Sequence, residues 1–269
     1  MMKLMIKSRT NIGAFNLSIA LALALGVLAI PFALAESHGA HANGEMSQLD
    51  PSVATNTSNL IESGIQPEAF ATYQRAVHEL HQGHAVMAEA DANRALQRDP
   101  KFADAVALAA TAALMQEQYA RASAEATQAI QINAADEKAY VILATAQNYL
   151  GHYSDAANAL SHVRTQDQQT WQVAYQWARA EAGQQHLPEC LEWLNRAALS
   201  APVNFAPLHL LRASVLLAMG DNERAAYELD IYLQFPSVNA EQRNLLTQEL
   251  HRLRQLPASN AAASTNSGN

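Results

Sequence analysis

The sequence predicts an all-α solenoid of about five helix-turn-helix units closed by a C-terminal helix, and three observations predict it. Small residues recur in columns 34 residues apart: Ala76, Ala110, Ala144 and Ala178 form one, and Ala88, Ala122, Ala156 and Cys190 a second. Ala95, Ala129, Val163 and Ala197 form a third, and three agreeing registers are a poor match to chance even in an alanine-rich chain. The turn residues Gly83 and Gly151 keep the same step, and apolar residues within each unit follow helical three- and four-residue spacing.

The unit is plainest at Glu137–Thr170. Tyr140, Leu143 and Ala144 form the apolar face of a first helix, Gly151-His152 makes the turn, and Tyr153, Ala156 and Leu160 line a second helix. Ala144 and Ala156 let the two axes approach. Alanine suits the task, since it loses no side-chain entropy in a helix.

The first 35 residues stand apart from the repeats. Lys3, Lys7 and Arg9 precede an apolar run from Ile19 to Ile30, and Ala33-Leu34-Ala35 follows Pro31. That order reads as a secretory signal cleaved after Ala35, with an uncleaved signal anchor as the alternative. No cysteine follows the run, so a lipoprotein-type anchor is not expected. Cleavage would leave 14 Lys and Arg against 25 Asp and Glu. An acidic surface of this kind repels phosphate backbones, which excludes nucleic acid as an expected partner.

Residues 36–66, rich in Ser, Asn, Thr, Gly and His, read as a flexible leader. His38 and His41 lie close together there, but a solvated tail explains them without a metal. Pro67 and Glu68 suit a helix first turn, and Phe70, Tyr73, Val77 and Leu80 continue one face. His78, His81 and His84 share helical spacing, but the register puts His81 and His84 beside the Gly83 turn and in solvent. No metal or other cofactor is expected.

Helix pairs follow at about 103–116 with 119–132, 137–150 with 153–164, and 171–184 with 187–200. Pro188 falls in a helix first turn, where proline is compatible. Trp171, Trp177 and Trp193 gather in the fourth unit and are expected to fill volume that alanines leave. Cys190, the sole cysteine, occupies an alanine column and is expected to be buried and inert. The fifth unit, 206–219 with 222–235, fits once one residue is inserted near Phe205, so that Ala213, Gly220 and Ala225 fall in place. Residues 239–256 are expected to form a capping helix, apolar at Leu245, Leu246, Leu250 and Leu253. Residues 257–269 read as a low-complexity tail.

The 34-residue period, the small residue late in the first helix, the glycine turns (Gly83, Gly151, Gly220), the aromatics opening the second helix (Tyr119, Tyr153) and the prolines after it (Pro100, Pro202) resemble the tetratricopeptide repeat family, over about Ala69 to Ser237. The departures are in the first helices: Thr72, Val106, Tyr140, Ala174 and His209 stand where a large aromatic is usual, and Arg75 stands where an apolar residue is. The resemblance implies a right-handed superhelix whose concave groove binds a protein or peptide segment. The first-helix positions matching that groove are Phe70, Tyr73, Thr111, Lys138, Thr145, Asn148, Gln172, Tyr175 and Arg179. Lys138 and Arg179 would take a carboxylate and the aromatics apolar side chains. Tyr73 and Val77 stand where carboxylate-clamp members begin their basic set, so that clamp is absent.

No nucleophile-base pair, phosphate loop or metal-spaced cluster appears, and the expectation is not an enzyme. The expected role is an exported scaffold, periplasmic or secreted, in an envelope-associated complex. The alternative is an assembly subunit that oligomerises through its convex or terminal faces.

Overall fold

The computed structural model describes residues 64–164 and 170–255. The expected signal segment, the leader as far as residue 63 and the tail from 257 lie outside them. All the regular structure among the described residues is helical, in two compact units divided between Phe205 and Ala206. The division coincides with the one-residue slip in the repeat register.

The first unit contains four helix pairs: α1 (Pro67–His81) with α2 (Ala85–Arg98), α3 (Ala103–Met115) with α4 (Tyr119–Ile132), α5 (Glu137–Leu150) with α6 (Tyr153–Leu160), and α7 (Trp171–Gly183) with α8 (Leu187–Ala198). The second holds α9 (Ala206–Ala218), α10 (Asn222–Leu233) and α11 (Ala240–Gln255). Each first helix packs on its own second helix, and within the first unit neighbouring first helices also touch: α1 with α3, α3 with α5, α5 with α7.

The alanine columns are where the axes close. Ala76, Ala110, Ala144 and Ala178 have no exposed surface, nor do Ala88, Ala122, Ala156 and Cys190. A larger side chain there would force the helices apart, and that overpacking is what the columns avoid. Helix α3 is buried along its length from Ala105 to Met115, because it is wrapped by α1, α2, α4 and α5.

One backbone device closes every turn between paired helices. A residue in the left-handed region ends the first helix, and the next N–H reaches back to the carbonyl five residues earlier. The donors are His84, Gln118, His152, His186 and Asp221, each at 2.9 Å from its acceptor. Glycine takes the left-handed position at Gly83, Gly151 and Gly220, but Glu117 (φ 59°) and Gln185 (φ 66°) take it in the second and fourth pairs. Three of the donor residues also pair through their rings on the same turn: His84 Nδ1 with Glu79 (2.9 Å), His152 with Gln147 (2.8 Å) and His186 with Glu181 (2.8 Å).

Several boundaries differ from the sequence expectation. Helix α6 ends at Leu160 instead of continuing to 164; Ser161 Oγ donates to Asn158 O at 2.7 Å, and Arg164 pairs with Glu137. Local side-chain bonds of this kind compete with helix continuation. The terminal helix runs Ala240–Gln255, started by Asn239, whose side chain accepts from Gln242 N at 2.8 Å. Leu246, Leu250 and Leu253 pack against Leu229 and Tyr232, whereas Leu245 is half exposed and not part of that seam. Arg243 donates to the carbonyls of Leu233, which the end of α10 leaves without a helical partner, and of Phe235 (2.9 Å) and Val238 (3.3 Å) in the connection that follows.

Candidate functional site

The first helices α1, α3, α5 and α7 supply every residue assigned to the groove from sequence. The structure separates them by burial. Tyr73, Thr111, Thr145, Asn148, Tyr175 and Arg179 are buried, whereas Phe70, Gln172 and Lys138 keep surface.

The buried members are occupied with the fold. Thr111 Oγ1 donates to Ala107 O at 2.9 Å and Thr145 Oγ1 to Val141 O at 2.8 Å, so both hydroxyls spend their proton on their own helix. Asn148 Nδ2 donates to Gln176 O (2.9 Å) and Gln176 Oε1 (3.0 Å), tying α5 to α7 through a buried polar link. Tyr175 meets Phe205 edge-on at 5.0 Å between ring centres, and Trp171 packs on the same ring at 4.6 Å. The tryptophans therefore do not form one cluster: Trp177 and Trp193 stack separately at 5.3 Å.

Arg179 changes the electrostatic picture. Its guanidinium lies 3.9 Å from the centre of the Tyr149 ring, which in turn stacks on Tyr119 at 4.4 Å with planes 2° apart. A planar cation over an aromatic face is stable when desolvated, but it is not an open anion site. Lys138 is exposed on the first turn of α5 and shares that neighbourhood with Asp104 and Asp136, whose charges bear on one another. The pair of cations expected to clasp a carboxylate is thus divided, one sealed against tyrosine and the other among acids.

Tyr73 packs its ring 4.8 Å from Phe102, the residue that starts α3. Its hydroxyl is buried with no hydrogen-bond partner, and burial, followed by the charges of Asp104 and Asp136, pushes its proton affinity upward. Asp136 caps α5, accepting from Lys138 N at 3.1 Å and Ala139 N at 3.4 Å. Asp104 and Asp136 were not singled out from sequence; their signal is that one is a first-turn acid and the other the residue immediately before the next first helix.

Cys190 has no exposed surface, and burial, then the Glu181 charge, pushes its thiol up to about 12. A thiol so held is not a nucleophile near neutral pH. Among the described residues no group of three His, Cys, Asp or Glu is placed to hold a metal, and His78, His81 and His84 are all exposed. No helix among them is long and apolar enough to cross a membrane.

No protein-family model matches the chain, and no curated protein matches it in sequence. Solved structures do match in shape. MamA from Desulfovibrio magneticus RS-1 superposes with a TM-score of 0.53 at 14% identity, over 71% of this chain and 99% of that one. YrrB, described as a TPR protein with an unusual peptide-binding site, gives 0.51 at 17% identity, over 71% and 97%. A tetratricopeptide repeat protein from Parabacteroides merdae gives 0.51 at 16% identity, over 90% and 100%. The chain has the tetratricopeptide repeat fold. In tetratricopeptide terms, the left-handed turns and the buried alanine columns are its two defining features here, and the departure at Arg75 has a local cause. Arg75 forks onto the buried Asp91 at 2.6 and 2.9 Å, and Arg94 holds the same carboxylate at 2.6 Å.

Proposed function

We propose that this chain is a non-enzymatic tetratricopeptide scaffold that binds a protein or peptide segment along the face formed by α1, α3, α5 and α7. The observation that carries the reading is that these helices lie side by side and leave Phe70, Lys138 and Gln172 with surface, above a layer of buried side chains packed within the fold. A rigid, pre-formed floor reduces the ordering cost of binding. The peptide-binding site in the description of YrrB supports the same use of the fold. The sequence of Met1 to Ala35 supports export to a periplasmic or extracellular compartment, and with it a role in an envelope-associated complex. The inert state of Cys190 supports a binding role over thiol catalysis.

The test is affinity capture from an envelope fraction with the full chain, beside a variant carrying Phe70→Ala, Lys138→Ala and Gln172→Ala. These residues keep surface, so the variant is expected to match the parent in helicity by circular dichroism. A protein retained by the parent and lost by the variant supports the reading. Equal retention by both moves the interface to another face and overturns it.

A further inference from the structure

Arg121 joins two carboxylates that come from different repeat units. Its Nη1 lies 2.6 Å from Glu89 Oε1 on α2, and its Nε donates to Glu125 Oε1, one turn later on α4, at 2.8 Å. The two acids are held unequally. Glu89 has both oxygens occupied, since Gln116 Nε2, just past the end of α3, donates to Glu89 Oε2 at 2.6 Å. Glu125 has only one, because its Oε2 is enclosed without a hydrogen-bond partner. The Glu125 side chain as a whole keeps 18% of its surface exposed, enough for the carboxyl to exchange a proton with solvent.

Two negative charges around one guanidinium, with one oxygen enclosed and unpaired, favour the uptake of a proton. The geometry also selects its place. Protonating Glu89 weakens hydrogen bonds at both of its oxygens, whereas protonating Glu125 weakens a bond at one. Burial, the largest influence, and the Glu89 charge raise the proton affinity of Glu125, and the Arg121 bond and charge oppose them without cancelling them. Of the helices packed against α4, α3 carries only Asp104, and α5 carries Glu137 and Lys138, all in first turns, besides Tyr140 and Tyr149. Glu117 lies in the turn before α4, and the α5 side chain that reaches α4 is Gln147, on Ser123 Oγ at 3.0 Å. We propose that Glu125 is a proton-sensitive clasp in the first unit: acidification neutralises it, leaves Arg121 to Glu89 alone, and stabilises the join between α2 and α4. Its sense is opposite to acid denaturation. A carboxyl whose proton affinity is raised by folding is protonated in the folded chain before the unfolded one. Stability therefore rises as pH falls through the folded value, and the gain is complete below the ordinary value of 4.5.

The experiment titrates the full chain, isotope-labelled at its glutamate carboxyls, by NMR, beside Glu125→Gln, Glu89→Gln and Glu241→Gln. The signal missing from Glu125→Gln identifies Glu125. That signal is expected to titrate with a midpoint above 4.5. In Glu89→Gln the midpoint is expected to move down, because the like charge is gone and Arg121 serves one carboxylate. Glu241→Gln, which changes an exposed acid in the first turn of α11, leaves it in place. Thermal melts give a second readout. Glu125→Gln is expected to melt higher than the parent at neutral pH, with the difference closing as pH is lowered toward 4.5. A Glu125 midpoint at or below 4.5 overturns the proposal. So does a midpoint unchanged in Glu89→Gln, which would leave burial as the sole cause. A Glu125→Gln variant that melts no higher than the parent at neutral pH, or whose advantage is the same at every pH, overturns it as well.

Discussion

Trp177 and Trp193 stack with their rings 5.3 Å apart and 7° from parallel, at the two repeat positions that Arg75 and Asp91 occupy in the first pair and Arg212 and Glu228 in the fifth. One contact between paired helices is therefore made by aromatic area in one unit and by charge in two others. Truncating a mostly buried tryptophan costs about 3–5 kcal/mol, and Trp177→Ala is expected to fall in that range in chemical denaturation. Arg75→Leu is expected to destabilise by leaving Asp91 buried on Arg94 alone. Adding Asp91→Leu should recover much of the loss, because the double variant no longer leaves a buried carboxylate short of a partner. A double variant weaker than Arg75→Leu would refute this account.

Gly183 ends α7 against the ring of Tyr153, and a Cβ built there would lie 2.1 Å from the ring's Cγ. The ring is anchored close to its own backbone and cannot swing clear cheaply. Gly183→Ala is expected to cost about 1–3 kcal/mol by overpacking. The check is a double-mutant cycle with Tyr153→Ala, in which the glycine substitution should become nearly silent.

Gln185 and Glu117 hold the left-handed turn conformation without being glycine. Such strain costs on the order of 1–3 kcal/mol, and glycine returns roughly 0.5–1 kcal/mol of it as extra unfolded-state entropy. Gln185→Gly is expected to raise the denaturation midpoint at unchanged slope, whereas Gly151→Ala lowers it. A lower midpoint for Gln185→Gly would contradict the strain.

Glu228 lies between His209 Nδ1 at 2.7 Å and Arg212 at 3.2 Å. Burial opposes its ionisation, but those hydrogen bonds and charges outweigh burial and hold the carboxyl below its ordinary value of 4.5. The unfolded chain therefore takes up this proton first as pH falls. The stabilisation is complete above the ordinary value and is lost on descent through the lower folded value. Glu228→Gln is expected to be less stable at neutral pH and to show a shallower loss between neutral and acidic pH, by thermal melts across that range. Parallel pH curves for parent and variant would count against the assignment.

The helices were legible in sequence because their signal is local and repeated: the columns at Ala76, Ala88 and Ala95 give each unit's register, and most helix ends fall within two residues of expectation. The early end of α6 was not legible, since it depends on Ser161 and on Glu137, which meets Arg164 from the start of the preceding helix. The proposed binding face was named from sequence as a set of positions and not as a surface. Nothing in the spacing of Thr111, Thr145 and Arg179 says that two hydroxyls bond their own helices or that the guanidinium lies on Tyr149.

By itself the sequence determined the repeat, the paired helices, the turns and the burial of Cys190, because alanine at a fixed spacing permits only one close approach of neighbouring axes. The tertiary structure alone decided which charges remain available. It sealed Arg179 against an aromatic ring and left the Tyr73 hydroxyl buried without a hydrogen-bond partner. Electrostatic character at a site is set by distance and desolvation between residues far apart in sequence, and neither quantity is written in a residue's identity.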